Sequence, residues 1–387
     1  MTFLLLSFIV SLLVTLLVIR TSHRHVLSSD HDLTGPQKFH HRPVPRVGGV
    51  GVFVALLAGA AWASHAGLPD AHLHWVLIGC SLPAFLGGLA EDLFKTVSAR
   101  RRLVVTAVSA ALAAWSLDAV IARTDIPGID WLVGYAPFAI FLTVFVATGV
   151  ANAVNIIDGF NGLASMCVMM MMLAIAYVAL QVGDRFVLTA ALITAGAVLG
   201  FFVWNFPAGL VFLGDGGAYL LGFLLATLSI LLFSRNPQVS PLFTLLLCGY
   251  PIFETLFSIY RKKFLRGMSP GIPDGIHLHM LVYKRLMRWA VGNREARALT
   301  RRNSLTSPYL WLLCLLSVVP AVLWWNDATV LTVFIGLFMV SYVTLYWSIV
   351  RFKSPRWLVV SPVRRARRAV PGQAGAPESE SEPRVRS

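Results

Sequence analysis

Eleven stretches of mainly apolar residues follow one another along the chain, and a shorter polar or charged segment separates each from the next. A helix needs roughly 20 mainly apolar residues to cross the hydrocarbon core of a bilayer. The pattern therefore predicts an all-α, polytopic integral membrane protein with about eleven transmembrane helices. These lie near residues 3–19, 47–66, 75–90, 103–119, 135–151, 163–181, 186–204, 217–234, 241–259, 308–325 and 328–350, with 135–151 and 163–181 also compatible with re-entrant segments.

The positively charged residues occupy alternate gaps between these stretches. All but three of the 32 lysines and arginines fall within 20–46, 91–102, 260–306 and 351–387. Short positively charged loops stay on the cytoplasmic side of a membrane. With an odd number of helices, the N-terminus is expected outside and the C-terminus inside. The predicted cytoplasmic loops lie near 20–46, 91–102, 152–162, 205–216 and 260–306.

Composition supports this class of protein. A hydrophobic content of 57%, a charged content of 13% and a mean hydropathy of +0.72 argue against a soluble domain. The net charge of +14 is explained by topology and by attraction to anionic headgroups of the lipid bilayer, so we expect no nucleic-acid partner. One membrane domain is predicted over 1–350. The segment 351–387 is predicted to be a basic, disordered cytoplasmic tail.

The first candidate for chemistry is the sequence GGLAEDLFK, residues 87–95, at the predicted inner end of the third helix. Its adjacent carboxylates, Glu91 and Asp92, repel one another and resist burial. Lys95 and three following arginines would neutralise the pair or receive phosphate groups. A solvated helix end is the alternative interpretation.

The second candidate is NAVNIIDGFNGLAS, residues 152–165. Asn152, Asn155 and Asp158 are spaced by three and share one face of a helix. Such a polar run is costly in hydrocarbon unless it lines a cavity, and Gly159 and Gly162 are expected to break the helix. The alternative is a polar seam between two helices.

The third candidate places Asp215 among glycines directly before a predicted helix, in VFLGDGGAYLLGF, residues 211–223. The amides of such a turn, together with the dipole of the helix N-terminus, are suited to bind a phosphate. A glycine-rich turn with a capping aspartate is the alternative.

The fourth candidate is the basic loop 261–285, which contains six cations together with His277 and His279. In a helix, a spacing of two points the rings apart, so a shared metal would require a strand or a loop. Anion binding by the imidazoles, with Arg266 and Arg285 alongside, is the more natural use. The alternative is a solvated positively charged loop.

Together the four segments indicate one reaction class. Carboxylates without cysteine ligands favour a hard ion, Mg²⁺ or Mn²⁺, and the cations beside them indicate a phosphate-bearing substrate. A site at the membrane face suggests that a second substrate is dissolved in the bilayer. These parts support phosphoryl transfer from an activated nucleotide to a lipid phosphate.

The residues resemble a known family. Residues 152–164 and 211–223, with the Pro43–Gly49 segment, are similar to the polyprenyl-phosphate N-acetylhexosamine-1-phosphate transferases, and the resemblance spans roughly residues 36–285. That superfamily includes the bacterial initiators of O-antigen and teichoic acid synthesis and the muramyl-pentapeptide translocase. The resemblance implies a bacterial inner-membrane enzyme with a cytoplasmic active site. It also implies UDP-N-acetylhexosamine and undecaprenyl phosphate as substrates, UMP as a product and Mg²⁺ as cofactor, and leaves a homodimer open.

Residue roles follow from the same resemblance. Asp215 and Asp158 match the metal-binding acids, and Asp92, Glu91 and Asp158 match the catalytic acids. The resemblance and the loop charges together give the predicted substrate-binding residues, which are Lys95, Asn152, Asn155, Asn161, Arg266, His277, His279 and Arg285.

Three positions depart from the family pattern. Glu91 stands where an aspartate is usual, Met280 replaces the second histidine of an adjacent pair, and Asn161 replaces an aspartate. The single His-Leu-His motif resembles the O-antigen or capsule initiators more than the peptidoglycan translocase. Two alternatives stay open: a phospho-muramyl-pentapeptide transferase and, from a different class, an ion-coupled membrane transporter.

Overall fold

The computed structural model describes residues 1–22, 44–267, 276–287 and 296–351, with only the backbone described at Ser22 and at 296–299. The predicted tail beyond residue 351 lies outside the described residues. So do Pro43, most of the predicted loop 20–46 and parts of the predicted loop 260–306.

The described ranges are built from helices and contain no β-strand, which confirms the all-α prediction. Two short π-helical turns, Arg261–Leu265 and Val282–Met287, follow the eleventh and twelfth α-helices. The helices are α1 (Thr2–Ser22), α2 (Gly49–His65), α3 (Ala71–Phe94), α4 (Ala99–Ser116), α5 (Ile129–Val133), α6 (Ala136–Ile157), α7 (Leu163–Val182), α8 (Arg185–Asn205), α9 (Gly214–Arg235), α10 (Pro241–Leu247), α11 (Gly249–Tyr260), α12 (Leu278–Leu281), α13 (Ala296–Leu323) and α14 (Ala328–Val350).

Each predicted apolar segment coincides with a helix or, for 241–259, with a pair of helices. Within the described residues, eight helices are long and apolar enough to cross a bilayer, or nine if the bent pair α10–α11 counts as one span. The remaining two predicted spans, α2 and α4, do not have both the length and the apolar character of a membrane-crossing helix. α2 has 17 residues, a length of about 26 Å, and α4 begins with three consecutive arginines, at 100–102.

The interrupted span is not where the sequence allowed for one. α6 and α7 are unbroken helices of 22 and 20 residues, so the re-entrant alternative for those segments is wrong. Instead, the chain bends by 71° between α10 and the segment Gly249–Leu265. Pro251 lies in the first turn of α11 and has no N–H to donate to the carbonyl of Leu247, so α10 cannot continue straight through it.

α9 is the central helix and is buried from Gly214 to Phe233. It packs against α3 and α6, with α2 and α7 also in contact, whereas α1 and α14 lie at the periphery. A Cβ at Gly222 would lie 2.5 Å from the Cα of Ala151 in α6, so glycine permits the close approach of the two helices. This packing brings the first turn of α9 beside the last turns of α3 and α6.

Candidate active site

A cavity of about 410 Å³ lies where the ends of α3, α6 and α9 meet the histidine segment before α12. It gathers residues that are far apart in the sequence and belong to all four candidate motifs. Its polar lining comprises Arg46, Glu91, Arg102, Asn155, Asp158, Asn161, Asn205, Asp215, His277, His279 and Asn303.

The first turn of α9 is fixed by Asp92 of α3. The backbone N–H groups of Asp215 and Gly216 donate to the two carboxylate oxygens of Asp92, over 2.9 and 2.8 Å. Gly214 has a φ of 75°, and a Cβ there would lie 2.5 Å from Asp92 Oδ2, so both conformation and space require glycine. The expectation that these amides bind a phosphate is therefore wrong for Asp215 and Gly216, because both N–H groups already donate hydrogen bonds to Asp92.

The Asp215 carboxylate is surrounded by donors and cations. Asn155 Nδ2 donates to Oδ1 over 3.0 Å, and Arg102 forms an ion pair with Oδ2. Arg46 Nη2 lies 3.9 Å from Oδ1, and the guanidinium of Arg102 also stands 5.8 Å from the ring centroid of Tyr219. Asp215 lies in the first turn of α9, where the helix dipole favours negative charge. The two arginines place positive charge directly at this acid.

Asp158 follows α6 and forms part of the cavity wall. Removal from bulk water raises the pKa of its carboxyl to about 7, while the positive charge of Arg46 opposes the rise. Asp158 and Asp215 therefore line one cavity and share Arg46 as an electrostatic neighbour.

The turn after Asp158 is held by α13. The backbone N–H of Asn161 donates to Asn303 Oδ1 over 2.9 Å, and its carbonyl accepts from Ser307 Oγ over 2.6 Å. Trp311 Nε1 donates to the carbonyl of Gly162 over 3.0 Å. The side-chain amide of Asn161 donates to the Pro207 carbonyl over 3.2 Å, so this group supports the turn. α13 thus fixes the backbone beside the acid.

The two histidines stack instead of pointing apart. Their ring centroids are 5.3 Å apart with an interplanar angle of 2°, because His277 precedes the first turn of α12 and is not part of it. His277 Nδ1 lies 2.9 Å from Glu254 Oε1. Neither ring nitrogen of the buried His279 finds a partner among the described residues. Burial lowers the pKa of His279 to about 3, so its ring is neutral near pH 7.

Seven predicted site residues line the cavity: Glu91, Asn155, Asp158, Asn161, Asp215, His277 and His279. Glu91 Oε2 also accepts the N–H of Val97 over 2.7 Å, which shapes the turn into α4.

The other five predicted site residues, Asp92, Lys95, Asn152, Arg266 and Arg285, are not part of the lining. The side-chain oxygen of Asn152 accepts a hydrogen bond from Tyr219 OH over 3.2 Å. Lys95 ends α3 in a left-handed conformation, with a φ of 54°. Arg285 donates to the Ile349 carbonyl over 2.8 Å and to that of Val350, so it caps the carboxyl end of α14. The roles assigned to these five residues stay predictions.

Several residues at the site were missed by the sequence reasoning. Arg46, Asn205 and Asn303 line the cavity without having been singled out, and Glu254 holds one of the two histidines. Arg46 lies in the Pro43–Gly49 segment already quoted for the resemblance, and Glu254 is the one carboxylate inside the apolar stretch 241–259. An ionisable residue at that depth is a functional hypothesis by default.

The donor set fits a magnesium ion held by few protein ligands. The described residues contain no group of three or more His, Cys, Asp or Glu side chains placed to hold a metal together. Mg²⁺, however, is often bound by one or two carboxylates plus water and substrate phosphate. Asp158 and Asp215 supply two such oxygen ligands in one cavity, and the ion pair with Arg102 shows that Asp215 accepts a cation there.

Comparison with known proteins agrees with this geometry. A model described as glycosyl transferase family 4 matches residues 74–233. An undecaprenyl-phosphate alpha-N-acetylglucosaminyl 1-phosphate transferase of Thermotoga maritima is 31% identical over 258 residues, which cover 67% of the chain and 74% of that protein.

The chain belongs to glycosyl transferase family 4. A probable undecaprenyl-phosphate N-acetylglucosaminyl 1-phosphate transferase of Bacillus subtilis is 28% identical over 295 residues, covering 74% of the chain and 78% of that protein. A phospho-N-acetylmuramoyl-pentapeptide-transferase of Streptococcus uberis is 37% identical over 150 residues, covering 36% of the chain and 43% of that protein. The predicted membership in the polyprenyl-phosphate N-acetylhexosamine-1-phosphate transferases is confirmed by these relatives.

Proposed function

We propose that the protein transfers an N-acetylhexosamine-1-phosphate from a UDP-sugar to undecaprenyl phosphate and releases UMP. The product would initiate a lipid-linked cell-surface polysaccharide such as O-antigen or capsule. The observation that carries the proposal is one cavity at the helix ends that combines three carboxylates, two guanidinium groups and two imidazoles. The names of the relatives support undecaprenyl phosphate as the acceptor.

Arg46 and Arg102 are the groups we assign to the pyrophosphate of the UDP-sugar. Both line the cavity and both approach Asp215, so they already stand beside an anionic group. A guanidinium presents paired donors that match phosphate oxygens. On binding, the pyrophosphate would take over contacts that the Asp215 carboxylate makes with these arginines.

The reaction itself needs positioning and positive charge more than a strong base. An oxygen of the lipid phosphate attacks the sugar-proximal phosphorus, and the bond from that phosphorus to the bridging oxygen breaks. The bonding electrons leave with UMP, which gives a sugar linked to the lipid by a pyrophosphate. A phosphate monoester is already mainly ionised near neutral pH. The two guanidinium groups stabilise the charge that spreads over the equatorial oxygens.

Asp215 and Asp158 are the residues we assign to Mg²⁺. The ion would supply additional positive charge to the pyrophosphate and to the leaving UMP. Asn155 holds the Asp215 carboxylate in orientation through its hydrogen bond of 3.0 Å.

We place the protein in the bacterial cytoplasmic membrane with the cavity on the cytoplasmic side. The support is the charge pattern, since Arg46, Arg102 and Arg266 all lie on predicted cytoplasmic segments and the first two line the cavity. The rule for positively charged loops puts these segments inside. Membership in the family leaves the transporter alternative without support.

A phospho-muramyl-pentapeptide donor remains a second candidate, because the Streptococcus uberis transferase has the higher local identity, 37% over 150 residues. That match covers 43% of the relative, whereas the undecaprenyl-phosphate N-acetylglucosaminyl 1-phosphate transferases match over most of their length. We therefore favour a simple UDP-N-acetylhexosamine as donor.

The test uses the full-length protein in detergent with undecaprenyl phosphate, Mg²⁺ and a panel of UDP-N-acetylhexosamines, and it follows UMP release. The panel includes UDP-N-acetylmuramyl-pentapeptide. We expect UMP release that depends on the lipid and on Mg²⁺ and that is lost in Asp215→Asn. Asp118→Asn is the matched control, because Asp118 is exposed, lies at the opposite end of α4 from Arg102 and has a φ of 55° that asparagine tolerates. Folded protein without turnover of any donor would refute the proposal.

A further inference from the structure

Glu254 is a buried carboxylate inside the bent span. It lies on α11 with 1% of its surface exposed. A charged carboxylate in such a place is destabilising unless every oxygen has partners. Glu254 has three, since Oε1 lies 2.9 Å from His277 Nδ1 and accepts the N–H of Leu278 over 3.1 Å, while Oε2 accepts Tyr342 OH over 2.9 Å.

These contacts fix the orientation of His277. Because the carboxylate is an acceptor, His277 Nδ1 must carry the proton in this hydrogen bond. His277 also lines the cavity, so the ring edge that bears Nε2 is the one left for a ligand. The stacked ring of His279, 5.3 Å away, restricts rotation from the other side.

A second set of bonds holds the backbone just before His277. Arg261 Nη1 donates to the Ile276 carbonyl over 2.9 Å and to Tyr346 OH over 2.8 Å. Tyr342 and Tyr346 are both on α14, one helical turn apart. Glu254 and Arg261, each supported by a tyrosine of α14, therefore hold the histidine segment at two points, once through the His277 side chain and once through the Ile276 backbone.

We propose that Glu254 is a positioning residue that fixes the His277 ring with its Nε2 edge directed into the cavity, where it contacts the UDP-sugar. The groups that face His277 are Glu254 from α11, Tyr342 from α14 through Glu254, and His279 from its own segment. This inference rests on the proposed function.

A role in tethering α12 alone makes different predictions. In that case loss of Glu254 would lower the amount of folded protein and would act independently of the His277 side chain. A positioning role instead requires that the effects of Glu254 and His277 depend on each other. It also requires that loss of Glu254 acts mainly on KM for the UDP-sugar, because His277 contacts that substrate.

The experiment measures kcat and KM for the UDP-sugar separately in the full-length protein and in Glu254→Gln, His277→Asn and the double variant. Tyr250→Phe is the matched control. Its hydroxyl is buried on the same helix and has no partner among the described residues. Elution on size exclusion and the thermal-unfolding midpoint report whether each variant is folded.

We expect Glu254→Gln to lower kcat/KM by roughly 10- to 100-fold, as loss of a residue that orients a functional histidine does elsewhere. Most of this loss should appear as a higher KM for the UDP-sugar, because a misoriented ring no longer contacts that substrate. His277→Asn should lower kcat/KM to a similar extent, and the double variant should be no worse than the poorer single variant. Tyr250→Phe should match the parent.

Two outcomes would overturn the inference. One is that the losses of the two single variants multiply in the double variant, and the other is an unchanged KM for the UDP-sugar in folded Glu254→Gln. If Glu254→Gln does not fold, Glu254→Asp carries the same test. Its shorter side chain weakens the bond to Nδ1, and that loss must vanish in the His277→Asn background. An inactive parent protein would instead refute the proposed function, which keeps the two failures distinct.

Discussion

Arg102 offers the sharpest test of how the cavity binds its donor. Its guanidinium pairs with Asp215 and lines the cavity, and its side chain is 17% exposed. In Arg102→Met the length and the apolar stem are kept while the charge is removed. We expect a large loss in kcat/KM for the UDP-sugar, because the pyrophosphate loses one of the two arginines assigned to it.

The magnitude follows from the contact that is lost. A hydrogen bond to a charged group is worth about 1.5–3 kcal/mol. If the pyrophosphate makes one such bond to Arg102, kcat/KM should fall roughly 10- to 150-fold. Arg102→Lys should lie between the parent and Arg102→Met, because lysine keeps the charge but not the paired donors.

The requirement for Mg²⁺ separates this role from metal binding. Arg102 is a cation paired with the Asp215 carboxylate and cannot itself be a metal ligand, so its removal leaves the ligands assigned to Mg²⁺ in place. We expect the Mg²⁺ concentration for half-maximal activity not to rise in Arg102→Met. In any residual activity of Asp215→Asn it should rise.

The assay is UMP release at varied UDP-sugar concentration with saturating undecaprenyl phosphate. Arg101→Met is the matched control, because Arg101 precedes Arg102 in the same basic run but is exposed and outside the cavity lining. Values of kcat/KM within twofold of the parent for Arg102→Met, or an equal loss in Arg101→Met, would refute the reasoning.

Three further predictions follow from other parts of the structure. His279 keeps a low pKa when folded, so below the ordinary pKa of about 6.5 the unfolded chain gains a proton that the folded chain does not. The resulting loss of stability is about 1.4 kcal/mol at pH 5.5. The thermal midpoint of the parent should therefore fall more between pH 7.5 and pH 5.5 than that of His279→Asn, and equal falls would contradict the assignment. Asn303→Ala leaves the backbone N–H of Asn161 without its acceptor, a loss of about 1–3 kcal/mol. It should raise KM for the UDP-sugar and lower the thermal midpoint, and an unchanged KM would show that the turn does not depend on α13. A cysteine in place of Asp118 should react with an impermeant maleimide on intact cells, whereas one in place of Arg266 should react only after permeabilisation. The reverse pattern would invert the proposed orientation.

The membrane class and the helix positions were accessible from sequence because hydropathy is a local property. Each apolar segment coincides with a helix or, at 241–259, with a bent pair. The break at Cys248 was not anticipated. Gly249 and Pro251 are typical of a helix break, but the glycines of the 152–165 motif are equally typical of one. Local composition does not tell which of the two sites interrupts a membrane span.

The candidate site was partly accessible for the same reason. The acids of three motifs fall at predicted inner helix ends, so the charge rule alone was enough to place them on one side. Hydrogen bonds across the bundle were not accessible. Asp92 accepts the amides at residues 215 and 216, and Asn303 accepts the amide of Asn161. More than a hundred positions separate the partners in each case.

The sequence by itself determined which segments lie in the bilayer and which lie in water, because a helix of about 20 apolar residues is most stable in the hydrocarbon core. Charged loops then selected the side on which the acids lie. Only the tertiary structure decided which donors each acid receives, because that depends on the packing of α9 against α3 and α6. Glu254 illustrates the difference. The sequence shows that an ionisable residue lies within an apolar segment, but only the bend at Cys248 and the position of α14 bring its carboxylate to His277.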